Sequence, residues 1–256
     1  MTPELANALE GRDGAPVLVL SGSLGTTMRL WEPQLEAFVE RFRLLRHDHP
    51  GHGRSPLYEG AVTVERIGRD VLASTERLGV ERFSFCGLSL GGMVGMWLAA
   101  NAPDRVESLT LCCTGPKLGT PDDWAERARL VREAGTGAVV ARSRERWFTS
   151  GFRDTAVARG YLAELEAMSR EGYASCCDAV GAFDFRDEVG RIRAPTLLVL
   201  GAEDPVTPPD VVAPLQRGVP ALETLVVEGA AHLASVERPE AVTDAVLRHA
   251  YARATA

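Results

Sequence analysis

Three residues in this chain could together perform acyl-transfer chemistry: a serine, an aspartate and a histidine, in that order, each just past a short apolar run. The serine lies in Phe83-Ser84-Phe85-Cys86-Gly87-Leu88-Ser89-Leu90-Gly91-Gly92, which reads as a strand, a Gly-x-Ser-x-Gly turn and a helix running from Met93 toward Ala100. A serine hydroxyl is a poor nucleophile unless a base adjoins it and N–H donors await the oxyanion. A sharp strand-to-helix turn exposes the hydroxyl, flanking glycines relieve the crowding, and the helix N-terminus adds a positive dipole. Downstream, Thr196–Gly201 leads into Ala202-Glu203-Asp204-Pro205, and Leu225-Val226-Val227 leads into Glu228-Gly229-Ala230-Ala231-His232. Ser…Asp…His is the order that accompanies such a turn. His232 is therefore expected to take the Ser89 proton and return it to the leaving group, with Asp204 holding the imidazole tautomer. Glu203 is the rival acid, but neighbours on an extended strand end point opposite ways.

Two backbone donors should complete the site. One is the N–H of Leu90, directly after the nucleophile. The other comes from the loop Gly22-Ser23-Leu24-Gly25, with Leu24 favoured and Ser23 as the alternative. Of the five histidines only His232 follows a late strand. His47, His49 and His52 fall in an early loop, and His249 is expected at the surface of the last helix.

Positioning these residues requires a regular scaffold, and the punctuation supplies one. Strands are expected at Pro16–Ser21, Arg41–His47, 83–88, Val106–Cys113, Thr196–Gly201 and Glu223–Val227. Helical spacing of apolar residues appears over Val64–Leu78, Pro209–Arg217 and Pro239–His249. Near-continuous apolar strands alternating with helices imply a mostly parallel, doubly wound sheet covered on both faces. The stretch from about 121 to 182 breaks the alternation. It is rich in Ala, Arg and Glu, with helical periodicity and no strand pattern, and reads as a helical cap over the strand C-termini. No repeat or linker divides the 256 residues, so one domain over 1–256 with this cap insertion is expected.

Composition excludes other classes. A net charge of −7 without a Lys/Arg stripe argues against nucleic acid and anionic membrane surfaces as partners. No apolar run reaches the roughly 20 residues of a membrane helix, and no signal peptide is seen, so a cytoplasmic location is expected. Cys86, Cys112-Cys113 and Cys176-Cys177 make neither a disulfide framework nor a zinc pattern, and buried reduced thiols are expected. The chemistry needs no metal and no cofactor.

Taken together, Asp48-x-x-Gly51-x-Gly53-x-Ser55, Gly87-x-Ser89-x-Gly91-Gly92, Gly201-x-x-Asp204-x-x-x-Pro208 and Gly229-x-x-His232 resemble the α/β-hydrolase superfamily over nearly the whole chain. A narrower resemblance is to the 3-oxoadipate enol-lactonases. It is carried by Ser23-Leu24-Gly25-Thr26 followed by Arg29-x-Trp31, by Leu118-Gly119-Thr120-Pro121 with Trp124, by Glu145-Arg146-Trp147-Phe148-Thr149, by Glu171-Gly172-Tyr173-x-x-Cys176-Cys177, and by Val236-Glu237-x-Pro239. The resemblance implies an α/β-hydrolase fold and hydrolysis of the enol-lactone of the β-ketoadipate branch of aromatic catabolism, giving 3-oxoadipate. One departure is Lys117, where family members often carry Arg; lysine keeps the charge and loses the bidentate fork. A small anionic lactone needs a cation in this acidic chain, and Lys117, Arg146 and Arg29 are the candidates, with Trp124 and Trp147 as apolar cap walls. The alternative on the same fold is a general carboxylesterase or cofactor-free perhydrolase, since the triad does not name the acyl group. A haloalkane dehalogenase would need Asp where Ser89 stands. A non-catalytic ligand-binding module would not require the intact triad.

Overall fold

The computed structural model describes residues 4–252. Seven strands form one sheet: β1 (Asn7–Glu10), β2 (Val17–Ser21), β3 (Arg43–His47), β4 (Phe83–Leu88), β5 (Val106–Cys112), β6 (Thr196–Gly201) and β7 (Leu222–Val227). Their order is β1-β3-β2-β4-β5-β6-β7. Every neighbouring pair is parallel except β1 with β3. The expected strands are all present, within two residues at their ends; β1 is an addition, a four-residue edge strand too short and too polar to stand out. β2, β4 and β6 are buried at every position, as strands covered on both faces should be. β7 departs from that pattern. It is the other edge, and Val226 is 50% exposed there.

Helices α1 (Leu35–Val39), α2 (Val64–Arg77) and α3 (Leu90–Asn101) alternate with the first strands, and α8 (Pro209–Gly218), α9 (Ala234–Glu237) and α10 (Pro239–Val246) with the last. α3 packs on β4, β5 and α2, and is apolar around its whole circumference because it is buried on all sides. Between β5 and β6 the chain runs through four helices: α4 (Pro121–Ala134), α5 (Gly137–Trp147), α6 (Ala156–Glu166) and α7 (Arg170–Ala182). Their starts are marked in the sequence. Thr120 caps α4 in a reciprocal capping box with Asp123, with Pro121 in the first turn; Thr155 caps α6 and Ser169 caps α7. α4 packs on α7 and α5 on α6.

One expectation at the C-terminal end is corrected. Regular α-helix stops at Val246, and Leu247–Tyr251 continues as a wider π turn. His249 lies at helical spacing from the buried Val242, Ala245 and Val246, on their side of the helix. It is 4% exposed, not at the surface, and its Nε2–H donates to the Pro195 carbonyl at 3.1 Å.

No helix among the described residues is long and apolar enough to cross a membrane. All five cysteines are buried and unbridged; even Cys86 and Cys112 lie 4.0 Å apart at sulfur, about twice a disulfide bond.

Candidate active site

The turn between β4 and α3 is strained, and the strain has a visible origin. Ser89 has φ +56° and ψ −112°, a region that costs a non-glycine residue roughly 1–3 kcal/mol. The turn is held from three sides: Ser89 N donates to Cys112 O at 3.0 Å, Thr114 Oγ1 donates to Ser89 O at 2.8 Å, and Gly91 N donates to Gly22 O at 2.9 Å. The flanking glycines allow this closeness. A Cβ on Gly87 would lie 2.2 Å from Gly91 O, and one on Gly91 would lie 2.3 Å from Ser21 O. Both obstacles are backbone and cannot swing aside. Gly91→Ala is therefore expected to cost about 3 kcal/mol by overpacking, lowering Tm by roughly 6–12 °C. A thermal melt unchanged within 2 °C, on the order of half a kcal/mol, would show that the sheet yields more easily than this packing implies.

Asp204 follows β6 and His232 follows β7, so both reach the C-terminal edge of the sheet where Ser89 stands. His232 Nδ1 is 3.0 Å from Asp204 Oδ2, and both side chains are almost fully buried. A carboxylate only accepts, so Nδ1 carries the proton and Nε2 is left as a base. Asp204 also accepts from Val206 N at 2.8 Å and from the Thr207 hydroxyl. Burial alone would push its carboxyl up, but His232, Thr207 and the Val206 N–H outweigh burial and hold it below the usual range. Glu203 is exposed, but not through strand alternation: β6 ends at Gly201, and Ala202 and Glu203, both exposed, form the turn that leads to Asp204.

The N–H groups of Leu24 and Leu90 have no hydrogen-bond acceptor among the described residues, a costly state for buried donors without a ligand. The loop carrying Leu24 is braced from β3's exit. Met28 N donates to Asp48 Oδ1 at 2.8 Å, His49 Nε2–H donates to Gly22 O at 2.8 Å, and Gly25 N donates to His52 Nε2 at 3.1 Å. His52 in turn donates from Nδ1 to Pro50 O at 3.0 Å, which fixes its tautomer. The Asp48–Ser55 pattern thus has a physical role, since three of its buried side chains hold the loop that presents Leu24. Burial pushes His52 and His47 down to about 3, and His49 down as well, so all three imidazoles stay neutral.

Ser89, His232, Ser23 and Leu24 line one small cavity, about 40 Å³, whose cap side is Trp124, Arg127, Arg146 and Trp147. It shares Trp124, Arg127 and Arg146 with an outer recess of about 260 Å³ that adds Arg142 and Asp123. Among the described residues none of these three arginines is ion-paired. Arg127 stacks over Trp124 and Tyr173, and one terminal nitrogen bonds the Tyr173 hydroxyl, while its Nε is buried without a partner. Burial, then Arg142 and Arg127, depress the Arg146 pKa, the mark of a cation short of an anion. Asp123, the acid on this wall, is committed to Thr120.

Of the expected cations, only Arg146 lines this cavity. Lys117 is paired with Asp184 at 2.9 Å, and Arg29 is exposed and paired with Glu32 at 3.2 Å; neither reaches the recess. Arg127 and Arg142 were missed by sequence reasoning. The available signal was spacing: Trp124 and Arg127 are three apart on α4 and so share its face. A larger groove of about 510 Å³ lies beside Arg43, Glu81 and Glu107 at the opposite edge of the sheet, and is lined by no serine, cysteine or histidine. No cluster of three His, Cys, Asp or Glu among the described residues could hold a metal.

A family profile described as the alpha/beta hydrolase fold matches residues 15–148. The chain is 36% identical to 3-oxoadipate enol-lactonase 2 of Acinetobacter baylyi over 240 residues, covering 92% of this chain and 89% of that one. In structure it is similar to the enol-lactonase from Burkholderia xenovorans LB400, with TM-score 0.92, 35% identity and 95% coverage of both chains. It is also similar to a hydrolase from Pseudomonas aeruginosa PA01, with TM-score 0.91, 39% identity and coverage of 95% and 93%. With the strand order, the strained serine turn and these similarities in agreement, the chain belongs to the α/β-hydrolase family and is a hydrolase.

Proposed function

We propose that the protein is a serine hydrolase that opens the ring of 3-oxoadipate enol-lactone, a small anionic lactone, to give 3-oxoadipate in the breakdown of aromatic compounds. Ser89 Oγ attacks the lactone carbonyl carbon while His232 Nε2 takes its proton. The Leu24 and Leu90 N–H groups receive the oxyanion. As the intermediate collapses, the bond from the acyl carbon to the ring oxygen breaks and His232 returns the proton to that oxygen. The released enol settles as a ketone, so it leaves more readily than an alkoxide would. Water, deprotonated by His232, then attacks the acyl-enzyme; the acid leaves and Ser89 regains its proton.

The observation that carries this reading is the pairing of triad and cation: Ser89 and His232 share a cavity with Arg127 and Arg146, two guanidiniums that have no carboxylate partner among the described residues. A substrate bearing its own carboxylate would complete that charge balance, and an arginine fork suits it. The similarity to enol-lactonases agrees with it. The reading also has the enzyme acting in the cytoplasm, in keeping with five unbridged thiols.

The test compares kcat/KM for 3-oxoadipate enol-lactone and for p-nitrophenyl acetate, with Ser89→Ala expected to abolish both. Arg127→Met keeps the apolar stem and removes the charge. It is expected to cost the lactone about ten- to a hundredfold in kcat/KM, the worth of a charged hydrogen bond, and to leave the neutral ester nearly unchanged. Fast ester turnover with little lactone turnover would sink the lactonase reading in favour of a general esterase. Equal losses on both substrates would remove Arg127 from carboxylate binding.

A further inference from the structure

Glu237 closes the short helix α9, is 4% exposed, and takes no part in the chemistry above. Among the described residues it has no cationic partner. Its charge is met by three donors instead: Ala231 N at 2.6 Å on Oε2, and Thr149 N at 3.0 Å and Thr149 Oγ1 at 2.8 Å on Oε1. The donors come from two different parts of the fold. Ala231 immediately precedes His232, and Thr149 lies two residues past the end of α5, whose last residues Arg146 and Trp147 line the catalytic cavity. On the other side of the histidine, Leu233 N donates to Trp147 O at 3.0 Å. The N–H groups of the two residues flanking His232 are thus tied to the same end of the cap, Ala231 through Glu237 and Leu233 directly. The anchor is itself held, because the buried Gln34 Nε2 donates to Ser235 O at 2.8 Å.

We propose that Glu237 is a positioning residue: it locks the loop bearing the base to the cap wall, so that His232 and the substrate-facing end of α5 keep one fixed relation. A buried carboxylate is costly to retain for packing alone, and here each lone-pair direction in use points at one of those two segments. The inference rests on the triad reading above.

Glu237→Gln preserves shape but offers one acceptor oxygen to two fixed backbone donors, so either Ala231 or Thr149 must face an NH₂ group. With p-nitrophenyl acetate, whose use is independent of the lactone assignment, kcat is expected to fall about ten- to a hundredfold through misplacement of the base, with KM within about twofold. A residue acting through His232 cannot matter once the base is already disabled. The loss should therefore vanish in an Asp204→Asn background, where a merely structural effect would multiply through. A folded Glu237→Gln enzyme with kcat within twofold of the parent, or losses that multiply, would overturn the proposal. Should that variant fail to fold, Thr149→Val decides. It removes one hydroxyl donor, and a kcat loss of about threefold or more that disappears with Asp204→Asn supports the brace, while an unchanged kcat overturns it. Asp204→Asn measured alone separates the two readings: an intact kcat there defeats the triad itself, whereas a collapsed kcat beside an unaffected Glu237→Gln defeats the brace only.

Discussion

Asp204→Asn should lower kcat for ester hydrolysis by about 10⁴-fold, some 5–6 kcal/mol of transition-state stabilisation. The surroundings decide which way the new amide must face. Val206 N–H donates to Oδ1, a fixed backbone donor that demands an oxygen. The asparagine oxygen must stay there, which turns the NH₂ toward His232 and Thr207. The Thr207 hydroxyl can rotate and accept. The imidazole can also accept, but only by moving its own proton from Nδ1 to Nε2, the nitrogen that has to receive the Ser89 proton. The variant would thus be folded, with its base in the wrong tautomer. The measurement is kcat with p-nitrophenyl acetate at neutral pH, beside a thermal melt to show that the fold is retained. A loss under tenfold in a folded protein would mean that Asp204 does not orient the base.

The second large effect is on stability in acid. His47 and His52 are each pushed down to about 3 by burial, against about 6.5 in the unfolded chain. Below pH 6.5 the unfolded state binds protons that the folded state refuses, so stability falls with pH from 6.5 down to about 3 and is fully present above 6.5. Between pH 7 and pH 5 each histidine is expected to remove about 2 kcal/mol, roughly 4 kcal/mol for the pair, a large part of the stability of a typical domain. His49 acts in the same direction. The consequence reaches function, because His52 must be neutral to accept the Gly25 N–H that holds the Leu24 loop. Denaturant unfolding at pH 7, 6 and 5 reads the slope. His47→Phe keeps the edge-on ring contact with His49, at 5.4 Å between centroids, and should recover about half of the loss. A free energy of unfolding flat from pH 7 to 5 would show that these imidazoles find protons, or water, inside the fold.

Much of this protein was legible in its sequence because the decisive signals are local. A strand, a Gly-x-Ser-x-Gly turn and a helix span about twenty consecutive residues, and the clash that demands glycine at 87 lies within that turn, while the one at 91 is with Ser21 at the end of β2. Asp204 and His232 each come within five residues of a strand end, β6 and β7, and Glu203 is left outside by the turn that leads to Asp204. Helix starts in the cap were marked by Thr120, Thr155 and Ser169 within one turn of chain.

The tertiary structure decided what depends on partners distant in sequence. Lys117 and Arg127 are equally plausible cations by type and position. Asp184, 67 residues on, claims the lysine, while no acid among the described residues claims Arg127, and that difference exists only once α4 and the segment after α7 are packed. His249 is covered by tertiary packing, its ring against the Pro195 carbonyl 54 residues earlier. Glu237 reads as an ordinary surface residue of a Val-Glu-x-Pro stretch; its burial and its donor 88 residues away follow from how the cap closes over the sheet. Type and local spacing single out Ser89, Asp204 and His232 as candidate nucleophile, acid and base. The charge proposed to meet a substrate, and the groups proposed to hold the base, are set by long-range pairing, decided only when every competing partner has its position.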